Sequence, residues 1–362
     1  MAEPGKLGPT EVLIRPVFCG ICGTDLHEYL EGGIVVSKEP HPLTGSTLPQ
    51  IMGHELSADV VEVGREVSRV KIGDRVAIMP LIYCGRCYYC LRGWNHLCSI
   101  QACTGLSSQW GGFAKLAVVE EYQVAVLPET VSYEQGAVLE PAAVAAYAVE
   151  RSGMQGGDTV LVAGAGPIGA LAALYAKALG AGQIYVSETN PQRLRLAHEL
   201  GVTEVFNPAE MVLKTEDSRS VGSGVFDAVK SPVAQALRDL TGGIGVDIAI
   251  DATGSEAGLA TCVNATRSRG TVVEAALQIK EPRVDLYGLA LKDCNLVGTW
   301  CYNVFDFPRY LRVIGTGDFP VDCVITHKVP LEHIVNEGFE ALVDPDGSAT
   351  KVLVDLRATS QP

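Results

Sequence analysis

The chain is poor in positive charge: 28 Lys and Arg stand against 42 Asp and Glu, a net charge of −14 over 362 residues. It has no basic run, and a nucleic-acid partner needs clustered cations for its phosphates, so that partner is excluded. Long apolar runs are missing too. None approaches the ~20 residues that span a bilayer, and Met1-Ala2-Glu3-Pro4-Gly5-Lys6 holds no apolar core of a signal peptide. The expectation is a cytoplasmic protein with no membrane partner. A third absence is an even cysteine count, for eleven cysteines cannot all pair. In a reducing compartment they point to metal or burial before disulfides.

Disorder is excluded as well, since 47% of residues are hydrophobic and 19% charged. The length suffices for two domains, each with its own core.

What is present begins at Cys19-Gly20-Ile21-Cys22-Gly23-Thr24-Asp25-Leu26-His27. A thiol, a hydroxyl, a carboxylate and an imidazole stand within this stretch. With Gly53-His54-Glu55 further on, it holds the pieces of a metal site with one open position, as a catalytic zinc requires. Taken alone, a cysteine is more often a small buried hydrophobe than a ligand. Only the rest of the chain raises the metal reading.

The first 140 residues read as short β segments, among them Val12–Ile14, Ala58–Val63, Arg75–Ile78 and Phe113–Val119, broken by Gly and Pro. They suit a compact, barrel-like β domain. Between them Cys84, Cys87, Cys90 and Cys98 follow the spacing C-x2-C-x2-C-x7-C. Four thiolates so spaced can close around one tetrahedral ion and leave no vacancy, which makes a structural zinc lobe. An iron–sulfur cluster or a disulfide pair are the alternatives.

From Gln155 the texture alternates between strand and helix. The apolar run Thr159–Ala163 suits a strand buried on both faces. Gly164-Ala165-Gly166-Pro167-Ile168-Gly169 follows, then an alanine-rich helix over Ala170–Leu179 and a strand ending on Glu188, 24 positions after Gly164. A G-x-G-x-x-G between strand and helix, with an acid at that distance, is a dinucleotide fingerprint. The glycines admit a pyrophosphate to the helix N-terminus. Val246–Asp251 and Gly270–Glu274 continue the pattern, and right-handed crossovers then give a doubly wound parallel sheet. Pro208–Thr241 reads as an irregular segment, with a charged Ser- and Gly-rich surface insertion at Lys214–Gly224. Lys351-Val352-Leu353-Val354 reads as a terminal strand that rejoins the first domain.

Together these residues resemble the zinc-containing medium-chain dehydrogenases, in order and spacing over nearly the whole chain. Within that family the polyol branch is most similar, and in it the enzymes acting on 2,3-butanediol. His41–Gly45, Leu139-Glu140-Pro141, Ile325–Lys328 and Glu337–Leu342 carry that finer likeness. The resemblance implies a Rossmann domain plus a β-rich, GroES-like catalytic domain. The implied division is 1–142 catalytic, 143–290 NAD-binding with an insertion about 211–228, and 291–362 returning to the catalytic domain. Family chains usually begin with a further β hairpin that is expected to be missing here, which would leave an exposed sheet edge.

The resemblance further implies two zinc ions per chain and NAD. Cys22, His54 and Glu140 would hold the catalytic zinc, with Glu55 beside it, binding it directly or through water, and Asp25 orienting His54. Without a metal, Glu140 would read as a helix-start acid before Pro141. Thr24 and His27 would relay the substrate proton; otherwise they are a capping threonine and a surface histidine. Gly164, Gly166, Pro167, Ile168, Gly169, Glu188, Arg193 and Thr299 would bind the coenzyme. The implied reaction is reversible oxidation of a secondary alcohol to a ketone, on a small vicinal diol such as 2,3-butanediol. Sorbitol, xylitol and threonine are the alternative substrates, and an inactive nucleotide-binding homologue is the alternative of another class. A homodimer or homotetramer is implied as well.

Overall fold

The computed structural model describes residues 4–36, 38–212, 231–278, 280–344 and 347–358. Its first elements are β1 (Glu11–Gly20), α1 (Gly23–Leu30), β2 (Glu55–Val63) and β3 (Arg75–Ile78). A short ladder of β4 (Leu81–Ile82) and β5 (Ala102–Cys103) follows, then β6 (Ala117–Glu120), β7 (Val124–Val126) and α2 (Tyr133–Arg151). The chain next alternates through β8 (Thr159–Ala163), α3 (Pro167–Ala178), β9 (Gln183–Ser187), α4 (Pro191–Glu199) and β10 (Glu204–Phe206). It continues with α5 (Pro232–Leu240), β11 (Val246–Asp251), α6 (Glu256–Ala265), β12 (Thr266–Glu274), α7 (Leu286–Leu291) and β13 (Asn295–Gly298). The last elements are α8 (Phe307–Thr316), β14 (Ile325–Pro330), α9 (Glu340–Val343) and β15 (Lys351–Asp355).

Two compact units result: residues 1–143 with 301–362, and residues 144–300. In the first, strands run in the order β14-β15-β1-β2-β3-β7, with β6 beside β1. Every pairing is antiparallel except β14 with β15. Among the described residues β6 pairs with β1 alone, so its other edge carries no strand. Val12, Ile14, Leu56, Val60, Val76 and Val119 fill the core of this unit; buried and less buried residues alternate over Glu11–Arg15 of β1, whereas the rest of β1 and the first four residues of β2 are buried throughout. Phe113 lies outside any strand and packs against that core. The terminal strand β15 does rejoin this unit, antiparallel to β1 with Leu353 opposite Gly20.

The second unit is a six-stranded parallel sheet in the order β10-β9-β8-β11-β12-β13. The strand order reverses at β8, where such a sheet opens a crevice at its carboxyl edge. β8 is buried along almost its whole length, as a strand covered on both faces must be. Because β13 pairs with β12, residues 291–300, grouped with the first domain by the sequence reading, complete this sheet instead.

Pro208–Thr241 is not irregular throughout, for it contains α5. Ser231 caps that helix, Pro232 starts it, and Val233, Ala234 and Leu237 bury one face. Lys214–Gly224 lies outside the described residues. Among the described residues no helix is long and apolar enough to cross a membrane.

Candidate metal and nucleotide sites

The register of β1 and β2 builds the first site. Gly20, at the end of β1, lies opposite Glu55, at the start of β2. Cys22 comes two residues past that point and His54 one residue before it, so both emerge at the same end of the ladder. One ligand atom each of Cys22, His54 and Glu55 lies within 4.8 Å of the others, and His54 and Glu55 are buried. Cys22 stands at the N-terminus of α1, where the Asp25 carboxylate reaches back to accept its backbone N–H at 2.9 Å.

The other Asp25 oxygen lies 3.6 Å from His54 Nδ1, too far for a hydrogen bond. Both atoms are buried without hydrogen-bond partners. Burial disfavours a charged His54, yet the neighbouring Asp25 and Cys22 outweigh it and hold the imidazole well above its usual range. In this state a proton is held where a cation would be favoured. Sulfur, imidazole nitrogen and carboxylate oxygen, buried together in a negative environment, form a donor set that fits zinc.

Glu140 stands outside the 4.8 Å group but within its field. Burial pushes its carboxyl up to about 7, Glu55 adds to the shift, and His54 and Lys351 oppose it. Its place in α2 corrects the helix-start reading. Pro141 lies in the interior of a helix that begins at Tyr133, and the buried packing of Ala142, Ala143, Ala145 and Ala146 holds the turn that the proline weakens.

Thr24 Oγ1 lies 3.7 Å from Cys22 Sγ. His27 sits half-buried three residues along the same helix face, and no hydrogen bond joins the two. They are neighbours of the site, not a closed relay.

Several participants were not evident in the sequence. Lys351 is buried and donates to both Glu55 oxygens, at 2.8 and 2.6 Å, and to the Ile21 carbonyl at 3.1 Å. The fully buried Tyr302 hydroxyl feels the Glu140 charge but makes no geometric hydrogen bond. Cys103, pushed up to about 12 by burial, and Cys301, also raised by burial, lie in the field of the same residues. No local pattern marks them, because each comes from a segment remote in sequence.

The second cluster is the lobe. The sulfurs of Cys84, Cys87, Cys90 and Cys98 lie within 4.8 Å of one another. Backbone amides of Cys90 and Ser99 pull the Cys87 thiol down to about 5, whereas burial pushes Cys90 up to about 12. Four sulfurs this close cannot all ionise without a central cation, and zinc fits them.

In the second unit the glycine loop joins β8 to α3. A Cβ at Gly169 would overlap the Gly164 carbonyl oxygen, so only glycine closes this turn. At Gly166 a Cβ would meet open space, with only the Arg193 guanidinium near, 3.9 Å away. Gly166 begins α3 without a side-chain cap and Pro167 follows, so the first-turn amides of Ile168 and Gly169 face the loop. Room, free donors and an adjacent cation fit a pyrophosphate.

Glu188 follows β9 and is buried. It accepts the backbone N–H groups of Ala165 at 2.8 Å, Thr189 at 2.7 Å and Asn190 at 2.8 Å. Thr299 closes on the end of β12, its N–H and hydroxyl both 3.1 Å from the Glu274 carbonyl.

Residues 8–129 match the family described as alcohol dehydrogenase GroES-like domain, and residues 167–316 the family described as zinc-binding dehydrogenase. The (R,R)-butanediol dehydrogenase of Bacillus subtilis (strain 168) is 37% identical over 353 residues, 97% of this chain and 94% of that one. The crystal structure of 2R,3R-butanediol dehydrogenase from Bacillus subtilis matches with a TM-score of 0.85 at 35% identity, over 98% of this chain and 95% of that one. A protein of Sinorhizobium meliloti 1021 described as a zinc-binding dehydrogenase, bound to NADP, matches with a TM-score of 0.80 at 27% identity, over 97% and 93% of the two chains.

Proposed function

From the premise that this chain belongs to the zinc-binding dehydrogenases with an alcohol dehydrogenase GroES-like domain, and is an oxidoreductase, we propose that it oxidises a small vicinal diol, of the 2,3-butanediol kind, at a secondary alcohol. The reverse reaction reduces the hydroxyketone acetoin. The observation that carries the chemistry is the convergence of Cys22, His54 and Glu55 at one end of the β1–β2 ladder. The substrate rests on the likeness to butanediol dehydrogenase over 97% of the chain.

In this reading Cys22, His54 and Glu140 hold the catalytic zinc. Bound there, zinc supplies Lewis acidity that lowers the pKa of a substrate hydroxyl. Asp25 orients His54 from behind. Thr24, beside the Cys22 sulfur, is placed to take up the hydroxyl proton, and His27, three residues on and not hydrogen-bonded to it, passes the proton to solvent through water. Tyr302 and the buried alanines of α2 keep bulk water from Glu140. Cys84, Cys87, Cys90 and Cys98 hold a second, structural zinc.

The glycine loop takes the pyrophosphate, with Arg193 as its counter-charge, Glu188 accepts the ribose hydroxyls, and Thr299 lies at the nicotinamide end. That makes NAD the preferred hydride acceptor. A homodimer or homotetramer in the cytoplasm belongs to the same reading. Its support is β13, an edge strand of the second sheet that exposes Leu296.

The test is a turnover panel of 2,3-butanediol, acetoin, sorbitol, xylitol and threonine with each coenzyme. Butanediol and acetoin should give the highest kcat/KM. Sorbitol ahead of butanediol by roughly tenfold, about 1.4 kcal/mol of transition-state preference, would reject the substrate assignment.

A further inference from the structure

Asp251 and Glu274 end the neighbouring strands β11 and β12 as register partners, so both carboxyl side chains leave the sheet on one face. Asp251 is fully buried and Glu274 half-buried. The Gln278 amide joins them, its Nε2 3.2 Å from Asp251 Oδ2 and 3.4 Å from Glu274 Oε2. Among the described residues no cation pairs with either. β8, β13 and the turns 252–255 and 275–278 carry no titratable side chain. α6 carries Cys262, a buried thiol that feels both carboxyl groups, and Glu256, which Arg283 holds at 2.7 Å. Asp247, at the other end of β11, is paired with Arg267, and Lys280 is exposed. Two carboxyl groups so placed hold one charge and one proton more readily than two charges. Burial pushes Glu274 up to about 7 and Asp251 adds to the shift, so the second charge arrives near neutral pH.

The pair stands between the two ends of the nucleotide crevice. Asp251 Oδ1 accepts the Thr253 N–H at 2.9 Å and the Thr253 hydroxyl at 2.7 Å, which fixes the turn through Ala252. That turn abuts the glycine loop: Ala252 donates to the Ala163 carbonyl at 2.8 Å, and a Cβ at Gly164 would lie 3.0 Å from the Ala252 carbonyl oxygen. Glu274, for its part, gives its carbonyl to Thr299. The Ala275 N–H returns to the Asp251 carbonyl at 3.0 Å and closes the link. A second negative charge here would repel the first and oppose a pyrophosphate on the loop.

We propose that Asp251 and Glu274 are positioning residues for the coenzyme, sharing one proton that holds the pyrophosphate and nicotinamide ends of the crevice together. The inference rests on the glycine loop and Thr299 being coenzyme contacts. A bound pyrophosphate favours the protonated pair, so the complex holds more protons than the free protein. Affinity therefore falls as pH rises through the Glu274 range.

The test titrates the zinc-loaded protein with ADP-ribose, which carries the pyrophosphate without the nicotinamide and does not itself titrate near neutral pH. Its Kd should rise roughly tenfold from about pH 6 to about pH 8, and calorimetry in buffers of different ionisation heat should show proton uptake on binding. Glu274→Gln keeps the hydrogen bonds but cannot ionise, so it should bind at the upper pH as the native protein binds at the lower. Asp251→Asn should do the same, and decides if Glu274→Gln does not fold. A merely structural pair would give weaker binding at every pH with the native slope. That result overturns the inference, as does a native Kd that does not change with pH. Native protein that binds no ADP-ribose at any pH rejects the dinucleotide site itself, an outcome distinct from the others.

Discussion

Glu188 owes its position to three backbone amides and, among the described residues, to no ion pair, so its carboxyl group is held in place by the backbone alone. A ribose bearing two hydroxyls can donate to it, whereas a 2′-phosphate brings like charge against it. Repulsion of that kind is worth a few kcal/mol, on the order of 10²-fold in discrimination. Glu188→Ser should weaken NAD binding and raise the use of NADP together. Coenzyme titrations of both proteins decide the point, and an unchanged ratio removes Glu188 from the ribose site. Glu140 is the second residue with a measurable signature. Burial pushes its carboxyl up to about 7, and as the metal ligand proposed above it would have to lose a proton to bind. Affinity at the exchangeable site should therefore fall as pH drops below 7, about tenfold per unit for each proton displaced. His54, held well above its usual range, adds a second proton whose part of the slope already acts above pH 7, and the Cys22 thiol gives up a third on binding. Glu140→Gln should flatten that slope by one proton, and a slope that does not change would take Glu140 out of the ligand set.

At the scale of elements, the cysteine lobe shows how little a short segment can do by itself. Between Cys84 and Cys98 only single turns form, at Cys90–Arg92 and Asn95–Leu97, while Tyr88, Leu91 and Trp94 face solvent. Only Cys90, Asn95, His96 and Cys98 are buried in it and none is a large apolar side chain, so the lobe draws much of its order from the ion. Elemental analysis should find two zinc ions per chain. A chelator should take the one at Cys22 and His54 first, with activity lost and the fold intact. Cys90→Ser should lower Tm more than it alters turnover in the protein that survives, whereas one zinc or none in active protein would reject the two-site reading. The cysteine spacing and the strand–loop–helix of β8 and α3 were legible because each is a local pattern. The interior place of Pro141 was not, since the burial that tolerates a proline in α2 comes from distant segments. Nor was α5, whose start at Ser231 adjoins a charged, Ser- and Gly-rich stretch that masks it.

In the molecule as a whole, the parallel sheet of the second unit is legible from its alternation, because every strand, turn and helix of it follows in sequence order. The first unit is legible only in part. Its strands can be read one by one, but their order cannot, for β15 joins β1 from the other end of the chain. Lys351 was hidden for that reason: an apolar strand beginning with lysine looks like a surface strand until its neighbours are known. The same pairing has a meaning in time. Lys351 stands 330 positions beyond Ile21, whose carbonyl it meets, and synthesis delivers the Cys22 end long before the Lys351 end. Residues 144–300 form a continuous unit that can fold as it emerges, while the Phe18–Gly20 end of β1 waits for β15 on the side that β6 fills only at Glu11–Ile14. From the synthesis of His54 until that of Lys351 the nascent chain therefore carries both segments without the lysine that pairs with Glu55. The site takes its final form only as the last strand leaves the ribosome.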